Sequence, residues 1–348
     1  MKILMVRFSS FGDVTQSLSV PSALTARFPG AEVHWVVRSD LAPLLRNHPH
    51  VARIWSFDRR QGLGGLFDLL RSLRAEKFDR IYDAHNNLRS RLLCAGLRFP
   101  GDWRRLWRPP VFRRRSIKRW KRFLLFRFRI NLFEQPFAGQ RDLLEPLQAW
   151  GIPKFPPPAA PQLFLSPSDH AEARQLLGSW GDEDFIACAA SAAHLLKRWP
   201  VAHWQKLIAD HPESRFVLLG GPEDRFFEEI VAVAPDRVLN LAGRCGLTVS
   251  AAVVARSRGL VTNDTGLLHV AEQLGVRAVA LMGPAPFGFP CRPTTKILEL
   301  DLSCRPCSKH GQGPCVNDKH QRCLVDITPG AVGAIVARWH GRALEAAP

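Results

Sequence analysis

The feature that most constrains this chain is an alternation of short apolar runs with helix-forming stretches, repeated on both sides of a proline-rich break. Before the break, strand signals at 2–8, 32–37, 53–57 and 80–83 are separated by helical stretches that include 14–28 and 67–77. After it, strand signals at 185–189, 215–219, 238–241, 259–262 and 278–282 alternate with helices at 200–210, 223–233, 248–256 and 266–274. Strands spaced by helices run parallel with both faces covered, so each half predicts an α/β, doubly wound, Rossmann-like sheet. The break, 153–167, contains Pro156-Pro157-Pro158 and reads as a stiff linker between domains at 1–152 and 168–348, the second ending in a helix. A length of 348 residues suits two cores. The expected arrangement is two such domains facing a cleft.

Parallel sheets bind ligands beyond the carboxyl ends of their strands, which directs attention to the turns there. At 259–269 an apolar run passes through Asn263-Asp264-Thr265-Gly266 into a helix carrying His269. The first turn of a helix has backbone N–H groups without partners and a partial positive charge, so a phosphate fits there. Asp264 or Thr265 can cap the helix, and Gly266 lets a ligand approach the backbone. An ordinary capped turn fits the same residues. Asp13 follows the first strand on a turn loosened by Gly12, where an aspartate serves either as a general base or as a helix cap. Lys197 and Arg198 lie between a strand and a helix opened by Pro200; they can neutralise a departing phosphate or simply be solvated. Glu223, after Gly220-Gly221-Pro222, can accept from ribose hydroxyls or favour a helix dipole. No strand is followed by G-x-G-x-x-G, and Gly62-Leu-Gly64-Gly65 lacks a good strand before it, which disfavours nicotinamide and flavin dinucleotides.

The net charge is +17, and it is concentrated. Thirteen Lys and Arg against one acid between Arg98 and Arg129 contribute +12 of it. There Ile117, Trp120, Leu124 and Phe128 are spaced as one helical face, so 98–130 reads as a basic amphipathic segment suited to an anionic membrane or a nucleic-acid backbone, or packed on its own domain. The amino terminus lacks a signal-peptide pattern and no window reaches the ~18 apolar residues of a spanning helix, so a cytoplasmic protein is expected. Of eight cysteines, Cys304, Cys307, Cys315 and Cys323 cluster at 304–323 with a C-x2-C pair. Such a set is either a closed tetrahedral site for structural zinc or iron, or a loop of reduced thiols.

Taken together, four stretches resemble the ADP-heptose:lipopolysaccharide heptosyltransferases, inverting glycosyltransferases of family 9 with the GT-B fold. They are Lys2 through Val14, Tyr82 through Ser90, Lys197-Arg198-Trp199-Pro200, and Asn263-Asp264-Thr265-Gly266-Leu267-Leu268-His269. The resemblance runs through nearly the whole chain. It implies that Asp13 deprotonates an acceptor sugar hydroxyl, with Ser10, Gly12, Arg59 and Arg60 on the acceptor side. It implies that Lys197, Asp264, Thr265, Gly266 and His269 hold the diphosphate of ADP-heptose and that Glu223 meets its ribose, with no cofactor required for catalysis. Ala192 and Ala193 depart from members with hydroxyl or small residues before the lysine. The late cysteines resemble those of iron-holding autotransporter heptosyltransferases. A lipopolysaccharide inner-core acceptor is therefore the first expectation, met by a peripheral protein on the inner membrane through 98–130. A protein acceptor is the alternative, and a nucleic-acid-binding protein, with no nucleic acid expected on the leading reading, is the more distant one.

Overall fold

A computed structural model describes residues 1–98 and 109–339. The chain forms two compact units, one of Met1–Lys118 with Gly139–Phe164, the other of Arg119–Ala138 with the chain from Leu165 onward. The chain passes from the first unit to the second between Phe164 and Leu165, inside the proline-rich stretch. The 119–138 stretch, expected within the first domain, packs with the second unit.

The first unit is built on a five-stranded parallel sheet of β1 (Lys2–Val6), β2 (Glu32–Arg38), β3 (Arg53–Phe57), β4 (Arg80–Asp83) and β5 (Val111–Arg114), in the order β3-β2-β1-β4-β5. Ile3 is in register with Val33 on one side and Arg80 on the other. One core face of this sheet gathers Leu4, Val6, Val36, Ile81, Leu73 and Leu93. The chain builds outward from β1 in one direction and then returns to its other side, so the switch point lies between β1 and β4. The expected helix at 14–28 divides into Phe11–Gln16 and Ser19–Arg27.

The basic segment is not one helix. Val111–Arg114 pairs with β4 as an edge strand, because Pro109-Pro110 bars a helix immediately before it and β4 offers an open edge. A helix follows only at Arg119–Phe128, and 99–108 lie outside the described residues.

The second unit carries six parallel strands: β6 (Ile186–Ala189), β7 (Phe216–Leu218), β8 (Val238–Asn240), β9 (Leu260–Asn263), β10 (Ala278–Leu281) and β11 (Thr295–Leu298). Their order, β11-β10-β9-β6-β7-β8, places the switch point between β6 and β9. Buried Trp199, Trp204, Phe216, Phe227 and Leu324 fill one core of this sheet. The described chain ends with a helix at Pro329–Val336, capped by the Thr328 side chain, and a short turn to Trp339. No helix among the described residues is long and apolar enough to cross a membrane.

Candidate active site

Both switch points carry an aspartate paired with a cation. In the first unit, β1 runs into Ser9-Ser10 and the helix Phe11–Gln16, with Asp13 in its first turn. Asp13 is not the cap itself: its Oδ2 accepts from the Ser10 amide at 3.3 Å and the Ser10 hydroxyl at 2.9 Å. Its Oδ1 lies 2.6 Å from Nη2 of Arg7, whose side chain is 5% exposed against 40% for Asp13. Nη1 of Arg7 donates to the Ala84 carbonyl at 2.6 Å, tying β1 to the end of β4. Burial is the largest single influence on Asp13 and pushes its carboxyl up, but Arg7, Arg115 and the Ser10 hydrogen bonds outweigh it. The carboxyl is held well below the usual range and is ionised at neutral pH.

Beside this turn, Asp83 is fully buried at the end of β4 and accepts from Arg114 Nε at 2.8 Å and from the Asn86 amide at 2.8 Å. His85 sets its ring edge-on to Phe8, and burial, aided by Arg7, pushes its pKa down to about 4, so the imidazole is neutral. Arg59 and Arg60 follow β3, two strands from β1, and Arg60 pairs with Asp58 at 2.7 Å while 91% exposed.

In the second unit β9 ends in fully buried Asn263. Its side-chain amide donates to the Ala190 carbonyl at 2.7 Å, and its Oδ1 accepts from the Trp199 amide at 3.0 Å. Asn263 thereby shapes the loop after β6 that carries Lys197. Lys197 Nζ lies 2.5 Å from Asp264 Oδ2, the two side chains being 17% and 7% exposed. Burial pushes the Asp264 carboxyl up, and Lys197 draws it part of the way back. Thr265 is the cap residue of the helix Gly266–Leu274, with extended backbone and no capping hydrogen bond from its side chain. The amides of the first turn have no partner within the helix, which leaves an anion seat. His269 is buried one turn on. Gly288, with φ +87°, borders the same place: a Cβ there would lie 3.4 Å from Asp264 Oδ1 and 3.7 Å from His269 Nε2.

Glu223 is exposed after β7, and the buried acid of that turn is its neighbour Asp224. Asp224 accepts from the Ser191 hydroxyl at 2.5 Å and the Gly221 amide at 2.8 Å, and lies 3.6 Å from Arg198 Nη2. It joins the loops after β6 and β7 and holds Arg198 between them. Arg7, Asn263, Asp224 and Gly288 were not among the expected site residues. The one signal for Arg7 is a charge directly after the apolar run Ile3-Leu4-Met5-Val6, where a strand has no use for it unless it is paired.

The four late cysteines are near enough that their charges would interact, and burial pushes the Cys323 thiol up to about 11 and Cys307 upward as well. Asn317 Nδ2 donates to Cys304 Sγ, and the Gln321 amide to Cys315 Sγ. Among the described residues no group of three or more His, Cys, Asp or Glu side chains is arranged to hold a metal ion. As placed, the cysteines do not fit the expected zinc or iron site.

Two parallel-sheet units, each with an aspartate paired to a cation in the turn at its switch point, define an α/β protein of two Rossmann-like units. The sequence profile of glycosyltransferase family 9 (heptosyltransferase) matches residues 66–315, and the chain belongs to that family. It is 27% identical to lipopolysaccharide heptosyltransferase 2 of Escherichia coli K12, covering 95% of this chain and 96% of that one. A family 9 glycosyl transferase from Veillonella parvula superposes with a TM-score of 0.75 at 20% identity, over 97% of this chain and 96% of that one. The E. coli ADP-heptose lipopolysaccharide heptosyltransferase II superposes with a TM-score of 0.71 at 24% identity, over 97% and 98%. These likenesses give the fold class as GT-B, with two Rossmann-like units, and the family makes the chain a glycosyltransferase.

Proposed function

We propose that the protein transfers heptose from ADP-heptose to a lipopolysaccharide inner-core acceptor with inversion at the anomeric carbon. The acceptor hydroxyl gives its proton to Asp13 as its oxygen bonds to that carbon, and the bond to the ADP oxygen breaks with its electron pair leaving on the diphosphate. Lys197 and the amides following Thr265 receive that charge from groups already in place. Asp264 and His269 support this seat and Glu223 takes the ribose. Ser10 and Gly12 shape the acceptor side, with Arg59 and Arg60 as further cations for an anionic acceptor. A carboxylate held this far down is a weak base at rest, so it takes the proton as attack makes the hydroxyl acidic.

The observation that carries the reading is the ionised, 40% exposed carboxylate of Asp13 at a switch point. Purified protein given ADP-heptose and a Kdo-bearing lipid A acceptor should release ADP, and other nucleotide sugars should not substitute. ADP release only with a protein passenger domain would move the acceptor to the alternative class.

One feature favours a lipid-borne acceptor. On the helix Arg119–Phe128, Trp120 and Phe128 of the expected stripe face outward, 64% and 54% exposed, and neighbouring Phe123 is 57% exposed. Leu125 is buried instead, and Phe126 meets Phe287 edge-on. Exposed aromatics set among Arg119, Arg127 and Arg129 suit an anionic bilayer surface, which makes the enzyme peripheral on the inner membrane. Sedimentation with phosphatidylglycerol vesicles should carry down the wild type and lose the Trp120→Ser/Phe123→Ser variant. Equal pelleting of both, or equal binding to neutral phosphatidylcholine, would remove this part of the reading.

A further inference from the structure

We infer that Arg7 is the positioning residue of the transfer reaction: it fixes the Asp13 carboxylate in one orientation and keeps it the ionised acceptor of the proton. The inference rests on Asp13 acting as the base. Arg7 Nη2 holds Asp13 Oδ1 at 2.6 Å while Ser10 occupies Oδ2 from its amide and hydroxyl, so neither oxygen is left to turn freely. Arg7 is itself anchored at a second point, through Nη1 to the Ala84 carbonyl, and its own carbonyl accepts from the Trp35 indole at 3.3 Å. The base is thus referred to β1, β2 and the end of β4 at once, and a base positioned by rigid elements keeps its near-attack geometry.

The exposures give the pair a direction. The arginine is 5% exposed and makes no approach to solvent, so it is placed to act on Asp13, whereas the 40% exposed carboxylate is placed to act on a ligand. A guanidinium taken out of water is costly unless its charge is matched, and Asp13 is its one ion-pair partner among the described residues. Arg115, after β5, and neutral His85, after β4, are further titratable groups coupled to this carboxylate, and Asp83 is coupled to His85. Arg115 reinforces Arg7. Removing Arg7 leaves burial, which favours the protonated acid, opposed by Arg115 and Ser10 alone.

The test compares Arg7→Gln and Arg7→Lys by kcat and KM for both substrates, by ADP-heptose affinity in calorimetry, and by kcat/KM across about pH 4 to 9. Arg7→Gln should lower kcat at least about tenfold, leave donor affinity within about twofold, and move the acid limb of the profile upward. Arg7→Lys, which keeps the charge but not the two-point hold, should lower kcat while leaving the acid limb low. Unchanged kcat and profile in Arg7→Gln, or a loss of kcat matched by loss of donor affinity, would overturn the inference. Should Arg7→Gln fail to fold, Arg7→Lys decides: reduced kcat at unchanged donor affinity supports the role and unchanged kcat defeats it. Asp13→Asn separates the two readings, since full activity there removes the base itself whatever Arg7 does.

Discussion

The two switch-point turns use one local device for opposite ends. Each is a strand, a polar turn and a helix, and each pairs its aspartate with a cation, at 2.6 Å for Arg7–Asp13 and 2.5 Å for Lys197–Asp264. In the first turn the cation is the buried member and the carboxylate reaches solvent. In the second the carboxylate is the more buried one, and the lysine is the group that can be lent to a ligand. Burial pushes both carboxyls up, yet Asp13 ends well below its ordinary value and Asp264 above it, because Asp13 faces two arginines and a serine while Asp264 has a single lysine. The difference in burial matches the roles proposed above: a carboxylate offered as a base in one unit, an ammonium offered to phosphate in the other.

Asp13→Asn breaks the first half of that comparison most sharply. Asparagine can still accept from Arg7, so the fold should survive while kcat falls by about 10² to 10⁴. A variant with near wild-type turnover and an unchanged thermal melt would end the assignment of Asp13 as base. Alanine is the poorer choice, since it leaves the buried arginine with neither a counter-charge nor an acceptor, whereas asparagine keeps the acceptor.

Lys197→Ala tests the second half. It should weaken ADP binding and leave Asp264 buried without its partner, costing about 3 kcal/mol of stability in denaturant unfolding. The sign follows from the raised carboxyl: removing Lys197 raises it further, so the loss grows as pH rises past the folded wild-type value, above the ordinary carboxylate range. Adding Asp264→Asn should restore stability but not ADP affinity; recovery of both would mean that Lys197 does not meet the diphosphate.

Gly288→Ala asks how closely the second turn is bounded. A side chain at φ +87° is strained, and its methyl would come into van der Waals contact with Asp264 and His269, so a loss of about 1 kcal/mol with weaker ADP binding is expected. Unaltered ADP affinity would place the ligand elsewhere.

The smallest effect is a slope. Burial depresses His48 and His85 in the first unit to about 4 from an ordinary 6.5. Their neutral forms contribute stability that is fully present above pH 6.5 and is lost as pH falls towards about 4, because the unfolded chain takes up protons these rings refuse. Asp13 adds its own loss only in more acid solution, below the ordinary carboxylate range. Melting temperatures measured down this range should fall, and His48→Phe should flatten the curve if that ring is the source.

The repeated parallel sheets were legible because their central strands are continuous apolar runs, and the turns after β1 and β9 because glycine and aspartate mark them. Two of the four edge strands were not. Val111–Arg114 and Thr295–Leu298 are four residues long and only partly buried, so pairing to a neighbour, not hydrophobicity, defines them. Asp13, Lys197, Asp264 and His269 stand out by their place after a strand. Arg7, Asn263 and Asp224 act through partners 6 to 77 positions away in sequence, and no local pattern announces such a pairing.

The excursion of residues 119–138 into the second unit bears on the order in which the protein can be completed during synthesis. Phe126, Phe133 and Phe137 all rest against Phe287, which the ribosome adds some 150 residues later. Until then an emerging chain that already contains every strand of the first sheet still trails an uncovered aromatic loop. A fragment ending at Phe164 would keep that loop exposed for good, so separating the units for expression calls for cutting out 119–138 and closing the gap rather than stopping the chain early.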